Sequence, residues 1–288
     1  MSEHHIKPNH DSKMIIDVTP ESAEWQYLSF QVVKITAGES HVVSTPGIEV
    51  AIVPLVGGGT FAVTDGETYD VSRKNPFDEM PHILYMPPGH EVTITGGENG
   101  FEFAYGGAPA EGMYPLRLFK PEDMKSEVRG GGVALRQVNH VLAHPLPAER
   151  LILFEVYVPG GAYSGWPPHC HDGYAGSAYL EETYYYRMRP EHGFAIHRNY
   201  RKDNDFDEVF AVKNGDLVLV TEGFHPVAVP PGSNVYFLNY LAGELIGDER
   251  ARPPYDDPDW GWMKQDYEGG RISLPVGASN DQAMTTGT

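Results

Sequence analysis

Glycine and proline cut this chain into short pieces, and that interruption constrains its fold more than any other feature. The two residue types take 32 and 24 of the 288 positions. Between them lie runs rich in Val, Ile, Tyr and Phe, recurring about every 8 to 12 residues, which is the pattern of an antiparallel sandwich or barrel. Residues 47–55, 59–64 and 67–71 read as strands, the last two joined by a hairpin at Asp65-Gly66, a dipeptide that accepts positive φ. A strand, PPG, strand unit occurs at 84–95 and again at 216–240, so the chain is expected to hold two related β units. The join falls between Ala108 and Val138, giving a first unit at 1–120, a second at 121–275 and a mobile tail at 276–288 with little to bury. The glycine triplets at Gly57 and Gly130 read as turns, since neither opens a helix.

Charge narrows the function. With 21 basic against 40 acidic residues the net charge is −19, which repels phosphate backbones and anionic lipid alike. No basic cluster offsets it, so neither nucleic acid nor a membrane surface is expected as a partner. A single cysteine, Cys170, excludes an intrachain disulfide framework and fits a reducing compartment. The first residues carry no apolar leader and no window approaches the 18 or so apolar residues of a membrane span, so a cytoplasmic protein is expected.

The chemistry gathers in the segment Pro167-Pro168-His169-Cys170-His171-Asp172 and in the tyrosine-rich stretch beginning at Glu181. Alternate side chains of a strand share a face, so His169 and His171 point one way and Cys170 the other. A following strand places one carboxylate, Glu181 or Glu182, on the histidines' side, and His225, just past Gly223, supplies a fourth group. Three imidazoles and a carboxylate suit a first-row divalent ion with open positions, without choosing among Zn, Mn, Fe and Ni. If Glu182 is the one that faces inward, then Tyr184 and Tyr186 do too. No G-x-S-x-G, phosphate-binding loop or dinucleotide fingerprint competes.

This set resembles the cupin pattern of His-x-His with a downstream Glu on one motif and a lone His on a second. More specifically, the PPHxHD run at 167–172, Leu180-Glu-Glu-x-Tyr-Tyr, Gly193-Phe194 with Arg198 and Tyr200, and Gly223-x-His225-Pro-Val227 are similar to the 5-deoxy-glucuronate isomerase family of myo-inositol catabolism. In the first half Asn75-Pro-Phe77-Asp78, Ala108-Pro-Ala-Glu-Gly112 and Arg136-Gln-Val-Asn139 join the resemblance, which covers roughly residues 45–262. It implies an all-β fold of two tandem cupin barrels, a small sugar acid as substrate, a homo-oligomer, and an aldose-ketose isomerisation yielding 2-deoxy-5-keto-D-gluconate. His169, His171, Glu182 and His225 are then the metal ligands, with Tyr184, Tyr186 and Arg198 at the reacting centre.

Arg198 is the first choice for gripping the substrate's carboxylate, with Arg136 second. A uronate ketol-isomerase of pectin breakdown has a shorter His-to-Glu gap than the ten residues between His171 and Glu182 here. A non-catalytic sugar-binding bicupin is the third reading. Since residues 1–140 hold no His-x-His pair, one divalent ion per chain is expected on elemental analysis. Two equivalents, with one lost on His82→Ala or His90→Ala, would overturn a metal-free first barrel.

Overall fold

A computed structural model describes residues 3–272, 274 and 276; apart from Val276, the expected tail at 276–288 lies outside the described residues. In the second half, a seven-stranded antiparallel sheet runs in the order His5–Ile6, Leu217–Val220, Leu180–Arg189, Asn234–Gly243, Ile152–Val158, Arg136–Leu142, Lys125–Arg129. A four-stranded sheet of Tyr163–Ser164, Val227–Ala228, Phe194–Tyr200 and Asp207–Lys213 accompanies it. Tyr184, Tyr186, Phe237, Phe210 and Val227 belong to the core of this barrel. Alternation explains the assignment: inward Tyr184 and Tyr186 flank Tyr185, which packs in the other core, between the barrels.

The first half is an eight-stranded antiparallel sheet whose interior is filled by Phe61, Phe101, Phe103, Ile52 and Ile94. It contains Met14–Val18, Ser29–Ile35, Glu91–Pro109 and Ile48–Val63 among its strands, and Arg117–Phe119 forms its last edge. The expected all-β pair of barrels is what the chain forms. One departure concerns the start of the chain, which the sequence assigns to the first unit. His5–Ile6 instead pairs with Leu217–Val220, and His5 Nε2 meets Asp216 Oδ2 at 2.9 Å. Among the described residues no helix is long and apolar enough to cross a membrane.

Strand length also departs from expectation. Segments 47–55 and 59–64 are one strand, Ile48–Val63, whose pairing with Glu91–Pro109 shifts register between Pro54 and Val56 and between Gly57 and Gly59. Gly57 has φ +89°, and a Cβ there would lie 2.3 Å from the Gly100 carbonyl oxygen. The triplet therefore bends a long strand through a bulge instead of ending it. A glycine inside a strand pattern signals either outcome, and only the pairing partner decides.

The barrels meet across a mixed interface. Phe30 of the first half packs on Tyr185 and Tyr240 of the second, ring centroids 5.9 and 5.2 Å apart. Carboxylates then reach across to backbone amides. Glu181 accepts from the N–H groups of Gln26, Tyr27 and Leu28 at 2.7 to 2.9 Å, and Glu49 accepts from those of Glu149, Arg150 and Leu151 at 2.5 to 2.7 Å. Arg73 donates to both oxygens of Glu155 at 2.6 and 2.9 Å, with neither side chain exposed to solvent. Planar guanidinium and carboxylate match in such a two-point contact. Removing one partner strands the other charge, so Arg73→Met should cost about 3–5 kcal/mol. Chemical denaturation should show that loss, and the double variant Arg73→Met/Glu155→Leu should recover most of it.

Candidate metal centre

Two short elements and one long strand build the site. His169–Cys170 pairs with Tyr255–Asp256, which sets His169 opposite Asp256 and Cys170 opposite Tyr255. Cys170 packs against Tyr200 and Phe224, and burial pushes its thiol up to about 12. It is an inert core residue, as alternation from His169 and His171 implies. Glu182 enters from the strand Leu180–Arg189, opposite Val220 and Leu241. His225 comes from the connection between Leu217–Val220 and Val227–Ala228.

That connection depends on Gly223. Its φ is +83°, and a Cβ would stand 2.3 Å from the Tyr200 carbonyl oxygen. Its N–H donates to Asp172 Oδ2 at 2.7 Å, and Arg201 holds the same oxygen at 2.8 Å. Asp172 therefore ties the His169–His171 segment to the His225 loop. Sequence reading quoted Asp172 without assigning it a part, because only the loop's arrival makes its partner visible.

His171, Glu182 and His225 are buried and bring ligand atoms within 4.8 Å of one another. His171 Nδ1 donates to the Leu180 carbonyl at 3.0 Å, and His225 Nδ1 to the Gly223 carbonyl at 3.0 Å. Each neutral ring then presents a bare Nε2 lone pair. These Nε2 atoms lie 2.9 and 3.3 Å from Glu182 Oε2, and that of His225 is buried with no hydrogen-bond partner. Two lone pairs aimed at one carboxylate make an arrangement that a cation completes, and the donor set fits a divalent metal. Burial keeps His225 neutral by pushing its pKa well below the usual histidine range. For His171 burial acts the same way, but the Glu182 carboxylate outweighs it and raises the value. A proton and a metal ion compete for that nitrogen.

His169 stands beside this trio without joining it. Its ring lies 4.7 Å from that of His225 and 6.3 Å from that of His171, and burial pushes its pKa down to about 3. Glu181, the rejected carboxylate, points away into the barrel interface.

A cavity of about 570 Å³ opens above the trio, lined by His169, His171, Glu182, Tyr184 and Arg136 and walled by residues from the 250–267 segment such as Lys264 and Tyr267. Sequence reading gave that C-terminal wall no part in the site, since its short 3-10 turns and two-residue strand carry no periodic signal.

Tyr186 lies deeper than Tyr184, their rings stacked at 6.2 Å. Its phenol donates to His197 Nδ1 at 2.6 Å, and His197 Nε2–H donates to Asn199 Oδ1 at 2.7 Å, because the Asn199 amide nitrogen is committed to the Leu219 carbonyl. This buried chain explains an ionisable residue at 197: burial pushes His197 down to about 3, so it stays neutral and accepts the Tyr186 proton.

Arg198 is the clear correction. On Phe194–Tyr200 the inward positions are Ala195, His197 and Asn199, all buried, while Phe194 and Arg198 face solvent. Arg198 makes a two-point contact with Asp207, half exposed on the outer surface. The resemblance that singled out Arg198 with Tyr200 does not say which face of the strand is inward, and on this strand the inner face belongs to Ala195, His197 and Asn199.

Two tandem β-barrels with a histidine and carboxylate cluster inside the second define a bicupin. The chain belongs to the KduI/IolB family, whose model matches residues 2–263. It is 36% identical over 261 residues to a 5-deoxy-glucuronate isomerase of Geobacillus thermodenitrificans, covering 90% of this chain and 93% of that one. Identity is 33% over 258 residues to the enzyme of that name in Bacillus subtilis subsp. natto, covering 87% and 93%. An IolB-like protein from Salmonella typhimurium LT2 superposes with a TM-score of 0.84 at 34% identity, covering 90% of this chain and 98% of that one. Oxalate decarboxylase from Lactobacillus farciminis, at 12% identity and a TM-score of 0.60 over 86% of this chain and 88% of that one, shares the fold.

The two adjacent carboxylates provide a direct test. Glu182→Gln should lose most bound metal on elemental analysis, whereas Glu181→Gln should keep its metal but unfold at lower denaturant concentration. Equal metal content in the two variants would contradict the arrangement.

Proposed function

We propose that this protein is an aldose-ketose isomerase that converts 5-deoxy-D-glucuronate to 2-deoxy-5-keto-D-gluconate, with one divalent ion held by His171, Glu182 and His225 and completed by His169. The observation that carries this reading is the 36% identity to a 5-deoxy-glucuronate isomerase over 90% of the chain, together with a cavity lined by His171 and Glu182 of the trio and by His169.

The reaction moves one proton between adjacent carbons while an aldehyde with a neighbouring hydroxyl becomes a ketone with a terminal hydroxyl. No atom is gained or lost. A bound divalent ion supplies Lewis acidity toward the carbonyl and hydroxyl oxygens. The chain's own residues do the rest. Burial, then the charge of Glu182, pushes the Tyr184 phenol well above its ordinary range, so it stays protonated and donates a hydrogen bond to a substrate oxygen in the cavity. Tyr186 is a positioning residue, held by His197 and supporting Tyr184 from beneath. The closed barrel floor of Phe237, Val138 and Val156 limits water around the reacting carbons.

Metal-loaded protein should turn over 5-deoxy-glucuronate and stop after chelation, with activity returning on adding back a divalent ion. Tyr184→Phe should lower kcat by roughly 10²–10⁴-fold with metal content intact. Turnover of the uronate of pectin breakdown alone, or binding of either sugar acid without turnover, would replace this reading.

A further inference from the structure

We infer that Arg136 is the cavity group that binds the carboxylate of the sugar acid, and that it sets the enzyme's preference for acidic over neutral sugars. The inference rests on the isomerase reading for the substrate's identity and on the cavity for the residue.

Among the described residues, five cationic side chains line the cavity, and four of them are committed. Arg129 pairs with Glu127, Arg252 with Glu249 and Lys264 with Asp256. Arg250 spends its Nε and both Nη groups on the carbonyls of Leu151, Gly247 and Leu146. Arg136 differs. Its Nη1 donates to the carbonyls of Ala134 and Trp166 at 3.2 and 3.3 Å, and no carboxylate pairs with it among the described residues.

In a chain with 40 acidic residues against 21 basic, this half-buried cation is met by two carbonyls and the Tyr267 phenol and by no carboxylate among the described residues. Burial acts to lower its pKa, the Tyr267 phenol that hydrogen-bonds to it acts the other way, and the nearby Arg129 adds to the lowering. The two carbonyls fix the guanidinium through one nitrogen and leave its Nε and Nη2 free of them, which is the edge a planar carboxylate meets at two points. Arg136 also acts electrostatically on His169 and Tyr184, so it belongs to the same cavity as the metal trio. Arg136, His171 and Glu182 line one cavity, so a sugar acid can set its carbonyl at the trio and its carboxylate at Arg136.

The test compares wild type, Arg136→Gln and Arg136→Lys, each metal-loaded and checked for metal content. The substrates are 5-deoxy-glucuronate and its neutral counterpart with CH₂OH in place of the carboxylate. The ratio of kcat/KM for acid over neutral sugar should fall roughly 30- to 1000-fold in Arg136→Gln. Arg136→Lys, which keeps charge but not the two-point contact, should lose less. An unchanged ratio in both variants overturns the inference, and if Arg136→Gln loses its metal, Arg136→Lys is the variant read.

Binding of D-glucuronate and D-glucose by calorimetry separates this inference from the isomerase reading. If wild type fails to turn over 5-deoxy-glucuronate, the isomerase reading falls. Arg136 then stands if wild type binds glucuronate more tightly than the glutamine variant does. It falls if their affinities match or if the carboxylate adds nothing to wild-type binding.

Discussion

The capture of three consecutive backbone amides, those of Gln26, Tyr27 and Leu28, by the Glu181 carboxylate is the contact on which the arrangement of this protein depends. A carboxylate that accepts several N–H bonds is held in one orientation. Glu182 is the next residue on the same strand, and alternation turns it to the opposite face, into the second barrel beside His171 and His225. A slip of one residue would exchange the two carboxylates and bury Glu182 in the interface. The first barrel thus acts on the site from a distance: it pins the register of the strand that carries Glu182.

Similar logic recurs where the barrels touch. Glu149 accepts from the amides of Glu111, Gly112 and Met113, while Glu49 accepts from the N–H groups of Glu149, Arg150 and Leu151. At these loop ends, backbone donors that would otherwise be left unpaired are met by a carboxylate. Around these contacts lies an apolar interface in which Phe30, Tyr185 and Tyr240 meet. Burial supplies the bulk of the attraction, and the carboxylates and the Arg73–Glu155 pair select one docking geometry.

Charge is distributed against the average of the chain. The whole carries −19, yet the cavity wall presents Arg129, Arg136, Arg252 and Lys264. The acidic partners of three of them lie close by, so the field left over at the cavity centres on Arg136.

Residue order alone determined the fold class, because turn spacing and two-residue alternation are local properties that Gly, Pro and β-branched residues write directly into the chain. It also determined which faces His171, Glu182 and Cys170 present, since alternation needs no tertiary knowledge once a strand is assumed. What lay beyond it depended on partners distant in the chain. Gly57 bends a strand instead of ending one because of Gly100. His5–Ile6 joins the second sheet because Leu217–Val220 has an open edge. Arg198 faces out because the inner face of its strand is given to His197 and Asn199, which Tyr186 and the Leu219 carbonyl hold in place. The choice of Arg136 as the unpaired cation was likewise tertiary: a guanidinium reads the same in sequence whether or not an acid folds up beside it, and only the packed cavity decides which one is left to meet a ligand.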